Sequence, residues 1–300
     1  MGDYRVTQVG RTSHRVDVDT GGKGWEQWFL LSSDRHHDNA HTDQARELKD
    51  LRQAQDRSAG IIDVGDLFCA MQGRWDRRAD RSALREEYQC GNYLDALVRE
   101  AVDFYGPFAA NFIVIGRGNH ETAILKHHET DLTERLCQGL STATGVDVPA
   151  GGYGGWVVFN FRCSKTRSFR VNLKYWHGSG GGGPVTRGVI RTNRMAVYLP
   201  DAHIVVTGHT HDQWVVPIAR ERINRNGEVF IDEQTHVKCG TYKEEYGDGH
   251  GGWHIERGGP PKPLGAQWLR FFWADGMAGK SGGLRWEIHR TSGSRPSCGH

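Results

Sequence analysis

Short apolar runs that break off into aspartate, asparagine and histidine set the strongest constraint on this chain. Trp25 to Ser33 ends at Asp34-Arg35-His36, Ile61 to Val64 at Gly65-Asp66, Asn111 to Ile115 at Gly116-Arg117-Gly118-Asn119-His120, and His203 to Thr207 at Gly208-His209-Thr210-His211. Runs of this length and content read as buried strands. In open α/β sheets, ligand groups gather just beyond the strand ends. The chain must therefore fold so that remote polar segments meet along one edge.

Between these runs the periodicity changes. Asp43 to Arg57 places Ala45, Leu48, Leu51 and Ala54 at helical spacing and closes at Gly60. A longer helical pattern is expected from about Asp80 to Tyr105, with Leu84, Tyr88, Leu94, Val98 and Ala101 on one face and Gly106-Pro107 as its stop. Helical stretches continue to about Leu140. Trp156 to Cys163 and Phe169 to Trp176 read as paired strands, the second delivering His177. Beyond His211 the pattern is β: Trp214 to Ile223 and Val229 to Cys239 flank the turn Asn224-Arg225-Asn226-Gly227, and Leu269 to Trp273 and Leu284 to His289 follow. Tyr246 to Leu264 is rich in Gly and Pro and reads as a structured loop. Alternating strands and helices followed by a β-rich half predict an α/β sandwich of two mixed sheets flanked by helices. We expect one domain over residues 1–290, with motifs within 34–211, a β-rich part over 212–290 and a disordered tail over 291–300.

The polar runs carry enough oxygen and imidazole for two metal ions side by side. Paired divalent cations need an anion between them to offset their repulsion, and Asp66 is the candidate bridge. Asp34 and His36, two apart on a chain leaving a strand, face one ion. His209 and His211 have the same spacing and reach different ions if the backbone turns, which Gly208 permits. Asn119 offers a neutral oxygen, and His120 projects past the metals toward a substrate. Each residue also has a plainer reading: a lone histidine at a strand end is usually hydrogen-bonded, Gly-Asp usually marks a turn, and Asp34 suits a helix cap. His37, His41, His127, His128, His203, His236, His250, His254 and His289 fall at no ligand position and take that plainer reading.

The ordered set Asp-x-His, Gly-Asp, Gly-Asn-His-Glu, His and Gly-His-x-His resembles the calcineurin-like metallophosphoesterase family and spans Asp34 to His211. The resemblance implies a four-layer sandwich of two mixed sheets flanked by helices. It assigns Asp34, His36, Asp66 and His211 to a first metal, and Asp66, Asn119, His177 and His209 to a second. It makes His120 the catalytic histidine, with Asn119 and His120 holding phosphoryl oxygens and Arg117 a further phosphate contact. The implied reaction is in-line attack on phosphorus by a hydroxide bridging the metals. A set of histidines and carboxylates without cysteine suits Mn²⁺, Fe or Zn²⁺ better than Ca²⁺, with Mn²⁺ the leading expectation.

Substrate class is read from smaller features. Protein-phosphatase relatives carry an Asp-Arg-Gly triplet after the second motif, and Leu67-Phe68-Cys69-Ala70-Met71-Gln72 has none. Gly65-Asp66-Leu67-Phe68 resembles the repair exonucleases instead. A glycine loop follows His177, and Arg187, Arg191 and Arg194 are then expected on one helix face, suited to a polyanion backbone. Trp75, Trp253 and Trp268 are candidate base-stacking groups, or packing residues. The leading expectation is a phosphodiesterase or nuclease acting on DNA, RNA or a nucleotide. The alternatives are a phosphomonoesterase with the same centre, a non-catalytic scaffold, and a nuclease that needs a partner ATPase.

Composition excludes more than it selects. A net charge of +2 neither demands nor forbids a nucleic-acid partner. No apolar run approaches the ~20 residues that span a bilayer, and Met1 to Thr20 lacks the apolar segment of a signal peptide. The six cysteines have no Cys-x-x-Cys spacing, so a zinc knuckle or disulfide framework is not expected. A cytoplasmic protein with no membrane partner is expected. Glycine, 40 in 300 residues, is close to twice its average usage of ~7% and marks a loop-rich chain.

Overall fold

A computed structural model describes residues 4–20, 24–70, 83–181, 183, 185–246, 255, 258–274 and 283–291. Twelve strands among them form two sheets. The seven-stranded sheet has the order β1 (Tyr4–Gly10), β2 (Ser13–Asp19), β6 (Gly154–Arg162), β7 (Ser168–Trp176), β8 (Ile204–Thr207), β10 (Val229–Lys238), β9 (Trp214–Ile223). The five-stranded sheet has the order β12 (Gly283–Arg290), β11 (Gln267–Ala274), β3 (Glu26–Ser32), β4 (Gly60–Asp63), β5 (Phe112–Ile115). β3, β4 and β5 run parallel, as do β7 and β8, while the hairpin partners run antiparallel. Both sheets are mixed, and helices cover their outer faces. This is the two-sheet, helix-flanked architecture that the sequence led us to expect.

Alternation of apolar residues explains the layering. Phe29, Leu31, Ile62, Val64 and Val114 of one sheet meet Val157, Phe159, Leu173, Tyr175, Ile204 and Val206 of the other in a closed core. The Phe29 ring lies 4.8 Å from Phe159 and 5.9 Å from Phe271, so Phe29→Ala would empty a packed aromatic cluster at a cost of about 3–5 kcal/mol. Leu30 and Ile61 face the other way, onto α1 (Gln44–Asp56), α2 (Tyr93–Tyr105) and α4 (Leu132–Thr144). On the far side, Val205 packs with Met195 of α5 (Ile190–Tyr198), beside Trp156 and Trp176. Asp43 caps α1 by accepting from the Arg46 amide at 2.9 Å, and Asp131 caps α4 through the Glu134 amide at 3.2 Å.

Three expectations need correction. The long helix from Asp80 is not formed: of its described part only Tyr93–Tyr105 is α-helical, preceded by a short 3-10 turn at Glu86–Tyr88. Leu84 instead bridges to Asn39, and Tyr88 is buried as part of a loop. The segment before Thr20, to which the sequence assigned no element, is the hairpin β1–β2, whose Val16 and Val18 enter the core. Arg187 precedes α5 with φ +46°, so it cannot share a helical face with Arg191 and Arg194. Residues 292–300, Trp75, Trp253 and most of the Tyr246 to Leu264 loop lie outside the described residues. Among the described residues no helix is long and apolar enough to cross a membrane.

Candidate metal centre

Every strand expected to deliver a ligand ends at the same place. Past β3 and β4 the two chains stay paired: the Asp34 amide donates to Gly65 O at 2.9 Å, and the His36 amide to Asp66 O at 3.1 Å. Asp34, His36, Asp66, His209 and His211 all have positive φ, between 47° and 77°. This region is sparsely populated by non-glycine residues, and each such residue costs about 1–3 kcal/mol unless its surroundings enforce it. Here it turns Asp34 and His36, two residues apart, into one pocket. Gly118 and Gly208 permit the close approach that closes it, since a Cβ at either would collide with Asp66 or with Ser33 and Asp34. Gly208 therefore serves contact, while the turn expected of it is made by His209 and His211 themselves.

The ligand atoms fall into two sets. Asp34, His36 and His211 bring one donor atom each within 4.8 Å of one another, and so do Asp66, His177 and His209. In the first set His36 Nε2 lies 3.1 Å from His211 Nε2, and Asp34 Oδ1 lies 3.4 Å from His211 Nε2. In the second, His177 Nε2 lies 3.1 Å from both Asp66 Oδ2 and Asn119 Oδ1, and His209 Nδ1 lies 2.6 Å from Asn119 Oδ1. His209 and His211 thus divide between the sets as their spacing suggested. Asp66 belongs geometrically to the second set, with its charge also acting on His36. His120 stands at the mouth, its Nε2 3.7 Å from Asp66 Oδ2 and its Nδ1 hydrogen-bonded to Cys69 O.

This donor set fits divalent cations. Asp34 Oδ1 is buried without a hydrogen-bond partner among the described residues, a costly state that a cation beside it would relieve. His177 Nδ1 faces Val64 O at 3.2 Å; burial lowers this imidazole but the Asp66 carboxylate outweighs it and raises it to about 9, so a cation at Nε2 would take the place of a proton there. Burial raises the Asp34 carboxyl, but His211 and then His177 outweigh it and hold it below the usual range. Asp66 is likewise raised by burial and pulled well below its ordinary value by His177 and His120. Burial followed by the charges of His120 and His211 depresses His36, keeping it a neutral donor.

Surrounding groups brace the pocket. Arg35, fully buried, donates from Nε to Asp63 at 2.6 Å, from Nη1 to Glu47 at 3.0 Å and from Nη2 to Ser32 at 2.9 Å, locking the loop after β3. Glu121 accepts from the amides of Gly118, Phe68 and Asp66 at 2.8, 2.9 and 3.2 Å. Burial and then the Asp66 charge push its carboxyl up to about 8. Asp38 accepts from the Cys69 and Ala70 amides at 2.5 and 2.9 Å and from Tyr93 Oη. The sequence reasoning passed over Asp38 and the clamping role of Glu121. The available signal was a carboxylate beside each motif with no ligand position to fill.

Other expected contacts fare differently. Arg117 pairs through Nη2 with Asp131, the cap of α4, while its Nε is buried without a partner among the described residues. Trp268 is buried and packs edge-on against Trp28, with Arg57 over its ring, which removes it as a base-stacking group. Asp34 caps no helix. Cys69 joins His36 and His120 in a third close group of donor atoms.

No protein-family model and no curated protein matches the chain. Solved structures do. One titled as GAP50, the anchor in the inner membrane complex of Plasmodium, aligns at TM-score 0.45 and 11% identity, over 91% of this chain and 90% of that one. The calcineurin-like phosphoesterase YfkN from Bacillus subtilis aligns at TM-score 0.36 and 11% identity, over 88% and 90%.

Proposed function

We propose that this protein is a dinuclear metal-dependent phosphoesterase acting on phosphodiesters of nucleic acid or nucleotides. The supporting observation is the division of seven side chains from five strand ends into two adjacent donor sets. Asp34, His36 and His211 would hold one ion and Asp66, His177, His209 and Asn119 the other, with Asp66 the carboxylate we propose both ions would share; Mn²⁺ is the leading candidate, with Fe or Zn²⁺ as substitutes. Such a pair, when bound, supplies a nucleophile from water at neutral pH and neutralises charge on a phosphoryl group. The chain does the rest. His120, fixed by the Cys69 carbonyl, faces the mouth and delivers a proton to the leaving oxygen, while the Asn119 amide orients a phosphoryl oxygen. Asp66 receives the His120 amide at the N-terminus of α3 (Asn119–His128), which favours its charged form. The diester reading rests on the sequence, in which Gly65-Asp66-Leu67-Phe68 is followed by no Asp-Arg-Gly triplet. The free cysteines Cys69, Cys90, Cys137, Cys163 and Cys239 suit a reducing compartment, and we place the protein in the cytoplasm.

The test gives Mn²⁺-loaded protein equal concentrations of bis(p-nitrophenyl) phosphate and p-nitrophenyl phosphate. Faster hydrolysis of the diester is expected. Preference for the monoester would make the protein a phosphomonoesterase, and metal-dependent hydrolysis of neither would leave a binding scaffold.

A further inference from the structure

On the opposite face of the Gly208 to His211 turn lies a second polar space, open to solvent along a rim of Ser179, Gly181 and Arg191. Along β10, Val237 enters the inter-sheet core, so His236 and Lys238 face α5. They line a cavity of about 30 Å³ together with Arg191, Ser179, Thr210 and Trp214. No aspartate or glutamate is among its described lining residues. Lys238 is only 6% exposed, and its one hydrogen bond among the described residues is to Gly208 O at 2.5 Å. An ammonium has three donors, so two remain for whatever enters. Thr210 Oγ1 is also buried with no partner among the described residues. Arg191 is held over Gly180 by Ser179, with Nη1 2.8 Å from Ser179 Oγ. Burial lowers the Lys238 ammonium to about 8, although the Asp34 and Asp212 carboxylates act in the opposite direction from outside the cavity lining.

A buried cation with spare donors, a second cation and an unsatisfied hydroxyl around a space without acids is an anion receptor. The volume admits about two water-sized groups, enough for the oxygens of one anionic group and too small for a base or sugar. Its walls join it to the metal centre: Gly178 follows His177, and Thr210 lies between His209 and His211. We propose that this cavity binds a second phosphate of the substrate, through Lys238, Arg191 and Thr210, while the scissile phosphodiester lies at the metal centre. The substrate is then a phosphodiester that carries a further phosphate, and this rests on the phosphoesterase reading above.

The experiment compares two esters, thymidine 5′-(p-nitrophenyl phosphate) and the same compound bearing a 3′-phosphate. Wild type, Lys238→Met and Arg191→Gln are each assayed with Mn²⁺, and the readout is the ratio of kcat/KM for the two esters within each protein, so that a general loss of activity cancels. We expect a preference of about tenfold for the 3′-phosphorylated ester in wild type, carried by KM and reduced to near one in both variants. Arg191 is exposed, so Arg191→Gln reports even where Lys238→Met fails to fold. In parallel, EDTA-treated proteins are titrated calorimetrically with inorganic pyrophosphate, and binding is expected to weaken about tenfold in each variant. Absence of preference in wild type, or a preference that survives both substitutions, overturns the proposal. If neither ester is cleaved but pyrophosphate binding still depends on Lys238, the phosphoesterase reading fails and the anion site stands.

Discussion

The turn from Gly208 to His211 has a polar pocket on each side, the outer one open at its Arg191 rim, and the two have opposite character. On the inner side, Asp34 and Asp66 lie among four imidazoles, and the orphaned Asp34 Oδ1 faces His211 Nε2 at 3.4 Å. On the outer side, Lys238 and Arg191 surround a space that no described acid enters. The same backbone serves both: the His209 amide donates inward to Asp34 at 2.8 Å, while Gly208 O accepts from Lys238 on the outside. Buried groups left short of partners are expensive, so their sign indicates what each pocket is built to receive. Acceptors without donors call for cations. Donors without acceptors call for an anion.

Substitution can break this contrast, and the largest effect belongs to the inner side. Asp66→Asn removes the carboxylate of the second donor set that we propose both ions share, and turnover of bis(p-nitrophenyl) phosphate is expected to fall by more than about 10⁴-fold; undiminished hydrolysis would place the activity elsewhere. His120→Gln should lower kcat by about 10²–10⁴-fold with its metals retained, since His120 belongs to neither of the two donor sets that carry Asp34 and Asp66. Next comes the brace beneath the pocket. Glu121→Ala strands three buried amides, and we expect a loss of about 3 kcal/mol in urea unfolding together with ten- to a hundredfold weaker metal binding. Unchanged metal affinity would show that the inner pocket does not depend on its scaffold.

The smallest effect is read on the outer side. The folded-state value of Lys238, about 8, lies below its ordinary 10.5. Between those values the unfolded chain binds more protons than the folded one, so stability from this group rises with pH across that window. Relative to Lys238→Met, wild type should gain up to about 3 kcal/mol between pH 8 and 10.5, measured by denaturant unfolding. Saturating pyrophosphate should shrink that gain by favouring the ammonium. A flat difference between the two proteins would mean that Lys238 is not a starved cation, and the contrast between the pockets would lose its outer half.

Legibility in the sequence followed the same division. Ligand-bearing strand ends were readable because a short apolar run that stops at Asp or His leaves few alternatives, and β3, β4, β5 and β8 end within a residue or two of the expected positions. Helical periodicity was trustworthy for α1 and misleading before α2, where Leu84 and Tyr88 are apolar because a loop buries them. The β1–β2 hairpin was missed because Val16 and Val18 alternate with Arg15, Asp17 and Asp19, which reads as polar on composition and as a half-buried strand on period. Asp38 and Glu121 gave no periodic signal at all. Their roles come from backbone amides presented by distant loops, which only the folded chain brings together. The same holds for Lys238, whose isolation is a property of the cavity and not of its neighbours in sequence.

The central claim is that two donor sets share one carboxylate. Elemental analysis of protein saturated with Mn²⁺ and then freed of excess tests it most directly, with wild type beside Asp66→Asn. We predict two ions per chain for wild type and at most one for the variant. A wild-type content of one or fewer, or two ions in both proteins, would contradict it.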